Sequence, residues 1–341
     1  MKLPRKTAYT RITSEDKMAL INPNNIRLKD DFLVYLRSIR RSEGTISGYD
    51  SDLNIVFTHI LDALGNKDFK DLTKRDIISI QNWLTSNGCS SARVRRIKAA
   101  ISSLSNYIEN ILSDDEPEYQ GFRSIVRKIE NPPLQPVREN TVWDDKELQD
   151  TLDALMERKE YEKACYTALA AFSGRRRAEL CRFRISDFDD SHILFDGALY
   201  KSSPILTKGG KMLECYTLAK RFKPYLSAWL NELRKSGVET PWLFPDHNDP
   251  SKHIGIAIVN SWARSIDRIT EKPFYFHSLR HFFVTYLSKE GIPDNVVVQI
   301  VGWASSEMFN VYCDSSKDEQ ISSFFSGGEI STSKAKNISD I

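Results

Sequence analysis

The segment His277-Ser278-Leu279-Arg280-His281 sets two imidazoles and a guanidinium within about one helical turn. Upstream stands Gly174-Arg175-Arg176-Arg177-Ala178-Glu179-Leu180, arginines and a carboxylate expected on a single helix; downstream, Tyr312 follows Gly302-Trp303, ten positions after the glycine. Two arginines, a histidine, an indole donor and a late tyrosine can together attack a phosphodiester. In-line attack passes through a phosphorane whose non-bridging oxygens gain negative charge, and planar guanidiniums suit that charge because they stay protonated and donate in forks. A tyrosine hydroxyl as nucleophile leaves a covalent phosphotyrosine, which conserves the bond for later rejoining. An imidazole can take the phenolic proton, and a lysine can protonate the departing deoxyribose oxygen. The scheme calls for no metal and no other cofactor.

Each fragment also has a plainer reading. His277 and His281 at i and i+4 could hold a zinc ion on one helix face, but no glutamate follows the first histidine and no third ligand is placed. His281 reads as structural or as a secondary hydrogen-bonding group. Arg175, Arg176, Arg177, Arg182 and Arg184 could form a solvated basic face, yet the stretch from Cys165 to Leu180 is otherwise rich in Ala, Phe and Leu and should be buried. A buried arginine requires a partner or a phosphate. Asp187, Asp189 and Asp190, or Asp114, Asp115 and Glu116, could bind Mg²⁺ in a metal nuclease, but both clusters read better as turn and loop residues. Leu206 to Met212 reads as two short strands around a Gly-Gly turn, which exposes Lys208 and Lys211, with Lys201 more distant.

Gly-x-Arg-x-x-Glu-Leu, then Thr-Lys-Gly-Gly-Lys, then His-x-Leu-Arg-His, then Gly-Trp and Tyr, in that order, resembles the tyrosine site-specific recombinases of the phage-integrase family, over residues 30–325. The resemblance implies a mainly α fold with a small β-sheet in the catalytic domain, arranged as a two-domain DNA clamp. It implies Tyr312 as nucleophile and Arg176 and Arg280 as phosphate-binding arginines. His277 would act as the base, Lys208 (or Lys211) as the general acid, and Glu179 as a supporting carboxylate. Trp303 stands where most members carry a second histidine, a replacement that Cre-like members share. It implies a tetramer on two double-stranded DNA sites, joined through the C-terminal segment, with accessory DNA-bending proteins as further partners. A type IB topoisomerase would use nearly the same residues, and a silent DNA-binding regulator could be built on the same fold.

These residues have to be positioned by two domains, since 341 residues exceed one comfortable core. Residues 1–24 mix lysines and arginines with turn formers and read as a flexible segment. Helical periodicity then runs through 25–130: Phe32, Leu33, Leu36 and Ile39; Ile46 to Phe57; a helix capped at Asp71 or Thr73 with Ile77, Ile80 and Leu84 inward; and a last one after Ser90 through Val94, Ile97, Ile101, Leu104 and Ile108. Arg93, Arg95, Arg96 and Lys98 crowd that last helix and are candidate DNA-binding residues. Under the resemblance this bundle is the core-binding domain. Residues 131–140 contain Asn131-Pro132-Pro133-Leu134-Gln135-Pro136, a stiff linker. The catalytic domain spans 141–325, with strands expected near 193–195, 203–206 and 212–216, and 326–341 reads as a flexible tail.

Charge is nearly balanced at +2, so overall charge does not point to DNA. Residues 1–140 carry 22 basic and 18 acidic side chains, net +4; residues 141–341 carry 26 and 28, net −2. Phosphate binding must therefore rest on local patches. Five cysteines without paired spacing suggest free thiols in a reducing compartment, and no run is apolar enough for a membrane span. The expected location is cytoplasmic and nucleoid-associated.

Overall fold

The computed structural model describes residues 8–135, 141–207, 210–303, 306–313, 325–326 and 329–330. The chain divides into two compact units, Met1–Glu139 and Asn140–Ile341.

The first unit is helical throughout: α1 (Ala8–Ile12), α2 (Glu15–Leu20), α3 (Pro23–Ser38), α4 (Glu43–Ala63), α5 (Lys74–Ser86) and α6 (Ser91–Tyr107). From α6 the chain passes through one wider π turn, Ile108–Leu112, into the short α7 (Ser113–Asp115). The starts are chemically defined. Ser42, Thr73 and Ser90 accept from the backbone N–H three residues on, and Asp76 returns a bond to Thr73 in a capping box. α4 is the central element, with Leu53, Ile55, Val56, Phe57 and Ile60 fully buried against the inward faces of α3 and α6. Ile39, expected inward, is exposed at the end of α3.

The expectation of a flexible 1–24 segment is corrected over its described part. Ser14 caps α2, Asn22 caps α3, Lys17 pairs with Asp62, and Ile12 and Ile21 bury their side chains in the core of this unit. Tertiary burial overrides a basic, turn-rich composition.

In the second unit, α8 (Asp145–Glu157) starts at a capping box between Asp144 and Glu147. Next comes α9 (Tyr161–Ser173), buried continuously from Ala164 to Ser173, and α11 (Ala219–Lys235) and α13 (Phe276–Lys289) pack on it. A three-stranded antiparallel sheet runs in the order β1 (Ile193–Leu194), β2 (Leu199–Lys201), β5 (Tyr216–Leu218). A separate hairpin joins β3 (Ile205–Leu206) to β4 (Met212–Leu213), with Leu206 opposite Met212. The unit also contains α10 (Arg177–Leu180), α12 (Ile256–Ile266), α14 (Asp294–Val301) and α15 (Glu307–Tyr312), and beyond them β6 (Phe325–Ser326) pairs antiparallel with β7 (Glu329–Ile330). The rest of the expected C-terminal tail lies outside the described residues.

Three expectations are corrected here. β2 is an additional strand that the sequence pattern does not mark, and the 212–216 strand is split between two sheets. The larger correction concerns the arginines. α9 ends at Gly174, whose φ of +60° is left-handed, and α10 begins only at Arg177. Arg175 and Arg176 occupy the break between two helices, not one continuous helix.

Candidate active site

The break after α9 is fixed by packing. A Cβ on Gly174 would stand 2.4 Å from Cδ1 of Phe283, itself buried in α13, so the close crossing of α9 and α13 and the positive φ both require glycine. That crossing brings the Gly174 carbonyl to Arg280, whose Nη1 donates to it at 2.8 Å. Arg280 is almost fully buried, and its Nε and Nη2 have no hydrogen-bond partner among the described residues. Burial and the neighbouring Arg176 pull its guanidinium down to about 10, still protonated at neutral pH.

Two aromatic rings stand beside Arg280. Its guanidinium carbon lies 5.1 Å from the Trp303 ring centre and 5.4 Å from that of Tyr312. Trp303 and Tyr312 are 5.0 Å apart, and His281 lies 4.6 Å from Tyr312 at a shallow angle. Trp303 is buried, and its Nε1 has no partner among the described residues. His277 and Tyr312 meet directly, with Nε2 to hydroxyl 2.8 Å. Burial first, then the positive charge of Arg280, His281, Arg176 and Arg177, lowers the His277 imidazole to about 4. The residue as a whole is nonetheless exposed to solvent. A neutral Nε2 beside a phenol can accept its proton.

Arg176 is half-buried and held from behind. Buried Glu179 accepts from its backbone N–H and from its Nη1, both at 3.2 Å. Its charge is felt by both His277 and Arg280. Arg177 is exposed and donates to Asn260. Arg175 turns inward instead, with Nη2 on the carbonyls of Ile300 (2.9 Å) and Glu214 (3.2 Å). Sequence reasoning misses this role; the only signal for it is an arginine in an otherwise apolar stretch.

The structure thus brings Arg176, Glu179, His277, Arg280, Trp303 and Tyr312 into one neighbourhood. Lys208 lies outside the described residues. The hairpin that carries it is anchored where Arg182 donates to the Leu206 carbonyl at 2.7 Å and where Thr207 N–H meets the Lys211 carbonyl at 2.7 Å. Lys201 is engaged elsewhere, 2.8 Å from Glu214. Asp187, from the alternative metal cluster, accepts from the backbone N–H groups of Arg184 and Ser203, while Asp189 accepts from Ser191 and His192. These carboxylates close turns, and among the described residues no cluster suited to a metal ion is found.

In the first unit the four candidate DNA-binding side chains separate. Arg93 and Arg96 straddle Asp52, at 2.5 and 2.9 Å, with Arg96 largely exposed. Arg95 is half-buried. Lys98 points inward and donates to the Ile129 carbonyl, and burial lowers its ammonium.

The profile of the phage integrase family matches residues 142–319, and that of the phage integrase N-terminal SAM-like domain matches residues 30–110. The chain belongs to the phage integrase family. Within it, the chain is a tyrosine recombinase. It is similar to the SPbeta prophage-derived recombinase-like protein YomM of Bacillus subtilis, at 33% identity over 202 residues, a stretch that covers 58% of this chain and 58% of that protein. A tyrosine recombinase of Thermosipho africanus is 22% identical over 289 residues, which covers 84% of this chain and 93% of that one. Among solved structures, XerH site-specific recombinase bound to palindromic difH substrate superposes with a TM-score of 0.62 at 19% identity, over 82% of this chain and 78% of that chain. A lambda integrase dimer bound to a COC′ core site gives 0.61 at 16%, over 90% and 83%. At these identities the structural likeness is one of fold.

Proposed function

We propose that the chain cuts and rejoins DNA at specific sites through a 3′-phosphotyrosyl intermediate, without a metal, as a tetramer that joins two sites. The observation that carries the reading is the set of buried donors with no acceptor among the described residues, Arg280 Nε and Nη2 and Trp303 Nε1, beside a tyrosine hydroxyl bonded to a neutral imidazole. Unpaired buried donors each cost on the order of 1–3 kcal/mol, so a fold that gathers several has a use for an anion there.

In this reading the Tyr312 oxygen attacks the scissile phosphorus and passes its proton to His277 Nε2. The P–O5′ bond breaks, and the leaving oxygen takes a proton from Lys208 at the β3–β4 hairpin. Arg176 and Arg280 stabilise the equatorial oxygens, Trp303 donates to one of them, and Glu179 holds Arg176 in place. A 5′-hydroxyl from the partner site then attacks the phosphotyrosine and restores the phenol. Arg93, Arg95, Arg96 and Lys98 are assigned to DNA binding, with Lys98 acting through the local backbone. The C-terminal segment is assigned to docking on a neighbouring protomer. Accessory bending proteins and a nucleoid-associated location belong to the same proposal; among the described residues no helix is long and apolar enough to cross a membrane.

A nicked suicide duplex taken from DNA flanking the gene, incubated with EDTA, tests the chemistry. Wild type should give an SDS-resistant protein–DNA adduct and Tyr312→Phe none, with DNA binding intact in both. An equal adduct from Tyr312→Phe, or none from wild type despite a gel shift, refutes the assignment. A topoisomerase-like activity would instead relax supercoils without pairing two sites on a native gel.

A further inference from the structure

The α14 C-terminus closes on itself in a way that leaves one carbonyl for a side chain. Gly302 N–H reaches the Gln299 carbonyl at 3.1 Å, and Trp303 N–H reaches that of Val298 at 3.0 Å, as in a Schellman turn with Gly302 at φ +71°. The Ile300 carbonyl points to Arg175, whose same nitrogen also donates to Glu214, between β4 and β5. A Cβ on Gly302 would stand 3.1 Å from Arg175 Nη1 and 3.3 Å from Leu213 Cδ1, so the guanidinium and β4 both press against this glycine. Arg175 is 3% exposed, shows no carboxylate partner among the described residues, and its Nε has no hydrogen bond there. A cation buried at this cost against carbonyls needs a reason. A helix C-terminus supplies part of it, since its carbonyl end attracts positive charge.

Resting on the recombinase reading above, we propose that Arg175 is a positioning residue. It bolts the Gly302–Trp303 turn to the β4–β5 connection and so sets where the Trp303 Nε1 donor meets the scissile phosphate. Arg175 and Arg176 then divide the work of two adjacent guanidiniums. One faces inward and fixes the geometry of a donor; the other stands beside His277 and Arg280 and binds charge. A nonpolar side chain of similar length at 175 would leave the turn folded but free to shift, and a displacement of about 1 Å at a reacting centre can cost on the order of a hundredfold in rate.

The test compares Arg175→Met, Arg175→Lys, Trp303→Phe and the double variant Arg175→Met/Trp303→Phe, in single-turnover adduct formation on the suicide duplex. Arg175→Met should cleave about a hundredfold more slowly with DNA affinity unchanged. The double variant should stay within about threefold of Trp303→Phe, because the two changes remove one interaction. Arg175→Lys keeps the charge but not the planar fork, and should remain close to Arg175→Met. Hydrogen exchange on DNA-free protein should rise in residues 298–303 of both Arg175 variants. The inference is overturned by wild-type rates in Arg175→Met, by multiplicative losses in the double variant, or by full rescue with lysine, which would indicate charge alone. It is also overturned if both Arg175 variants are unfolded or exchange faster throughout the unit. A wild type that forms no adduct refutes the functional reading instead, and the exchange result still decides whether Arg175 holds the turn.

Discussion

Tyr312, His277, Arg280 and Trp303 form a set of side chains in mutual contact, and their individual effects can be separated. Trp303 contributes a ring under Arg280 and one N–H donor with no partner among the described residues. Trp303→Phe keeps the ring and removes the donor, so adduct formation should fall about a hundredfold, the usual scale for losing one donor to a developing oxyanion. Trp303→His restores an N–H and should recover most of that loss in the same single-turnover assay; equal activity of Phe and Trp at 303 would remove the donor role. His277 makes a pH prediction. As a base it must be neutral, so cleavage declines as pH falls through its pKa, and a depressed pKa moves that decline to lower pH. With the imidazole at about 4 in DNA-free protein, the acid limb at subsaturating DNA should lie well below the ordinary histidine range. A limb at the ordinary value would show that neither burial nor the cationic neighbours depress this ring.

The elements decide which side chains can take part. Gly174 ends α9, lies against Phe283 and offers its carbonyl to Arg280. Gly174→Ala should therefore cost about 2–4 kcal/mol in denaturant unfolding, combining a strained positive φ with overpacking, and should also slow cleavage. Adding Phe283→Leu should return part of the stability; if it returns none, the clash with Phe283 is not the cause. The same break marks a limit of sequence reading. An Ala- and Phe-rich run through Leu180 carries no interior stop stronger than one glycine, so Arg175, Arg176 and Arg177 look alike on paper. The fold alone sends one inward, one beside His277 and Arg280 and one to the surface. β2 is hidden for a different reason: it is only three residues long, and the turn before it puts Phe195, a residue type that rarely takes a positive φ, in the left-handed region beside Asp196. The two N-terminal helices depend on burial of Ile12 and Ile21, which composition does not reveal. Strongly periodic helices with Ser or Thr caps, such as those starting at Thr73 and Ser90, are legible because pattern and cap agree. The i, i+3 spacing of His277 and Arg280 is legible too, since it needs only one helical turn, whereas Tyr312 is singled out by its place after Gly302 and by the resemblance.

At the scale of the whole molecule, the small net charge of +2 has to be reconciled with binding a polyanion. An even distribution would give weak, salt-insensitive binding; a few aimed arginines give a definite salt slope, because each neutralised phosphate releases condensed counterions. The first unit has the larger surplus, and Asp52 on α4 gathers Arg93 and Arg96 of α6 into a fixed pair, with Arg96 mostly exposed. Orienting two guanidiniums through a buried carboxylate costs some of their charge but removes much of the side-chain entropy that binding would otherwise consume. Lys98, on the same helix, is buried onto the Ile129 carbonyl and is not available in that way. The two classes of basic residue should therefore behave differently on duplex DNA. Replacing Arg93, Arg95 and Arg96 together with alanine should weaken binding roughly equally on all sequences. It should also reduce the magnitude of the log Kd versus log salt slope by about 0.9 for each phosphate that is no longer neutralised. Lys98→Ala should lower the melting temperature while leaving the slope unchanged. An unchanged slope in the triple variant would place the phosphate-binding surface of this unit on another face, and a reduced slope in Lys98→Ala would mean that DNA draws this lysine out of the interior.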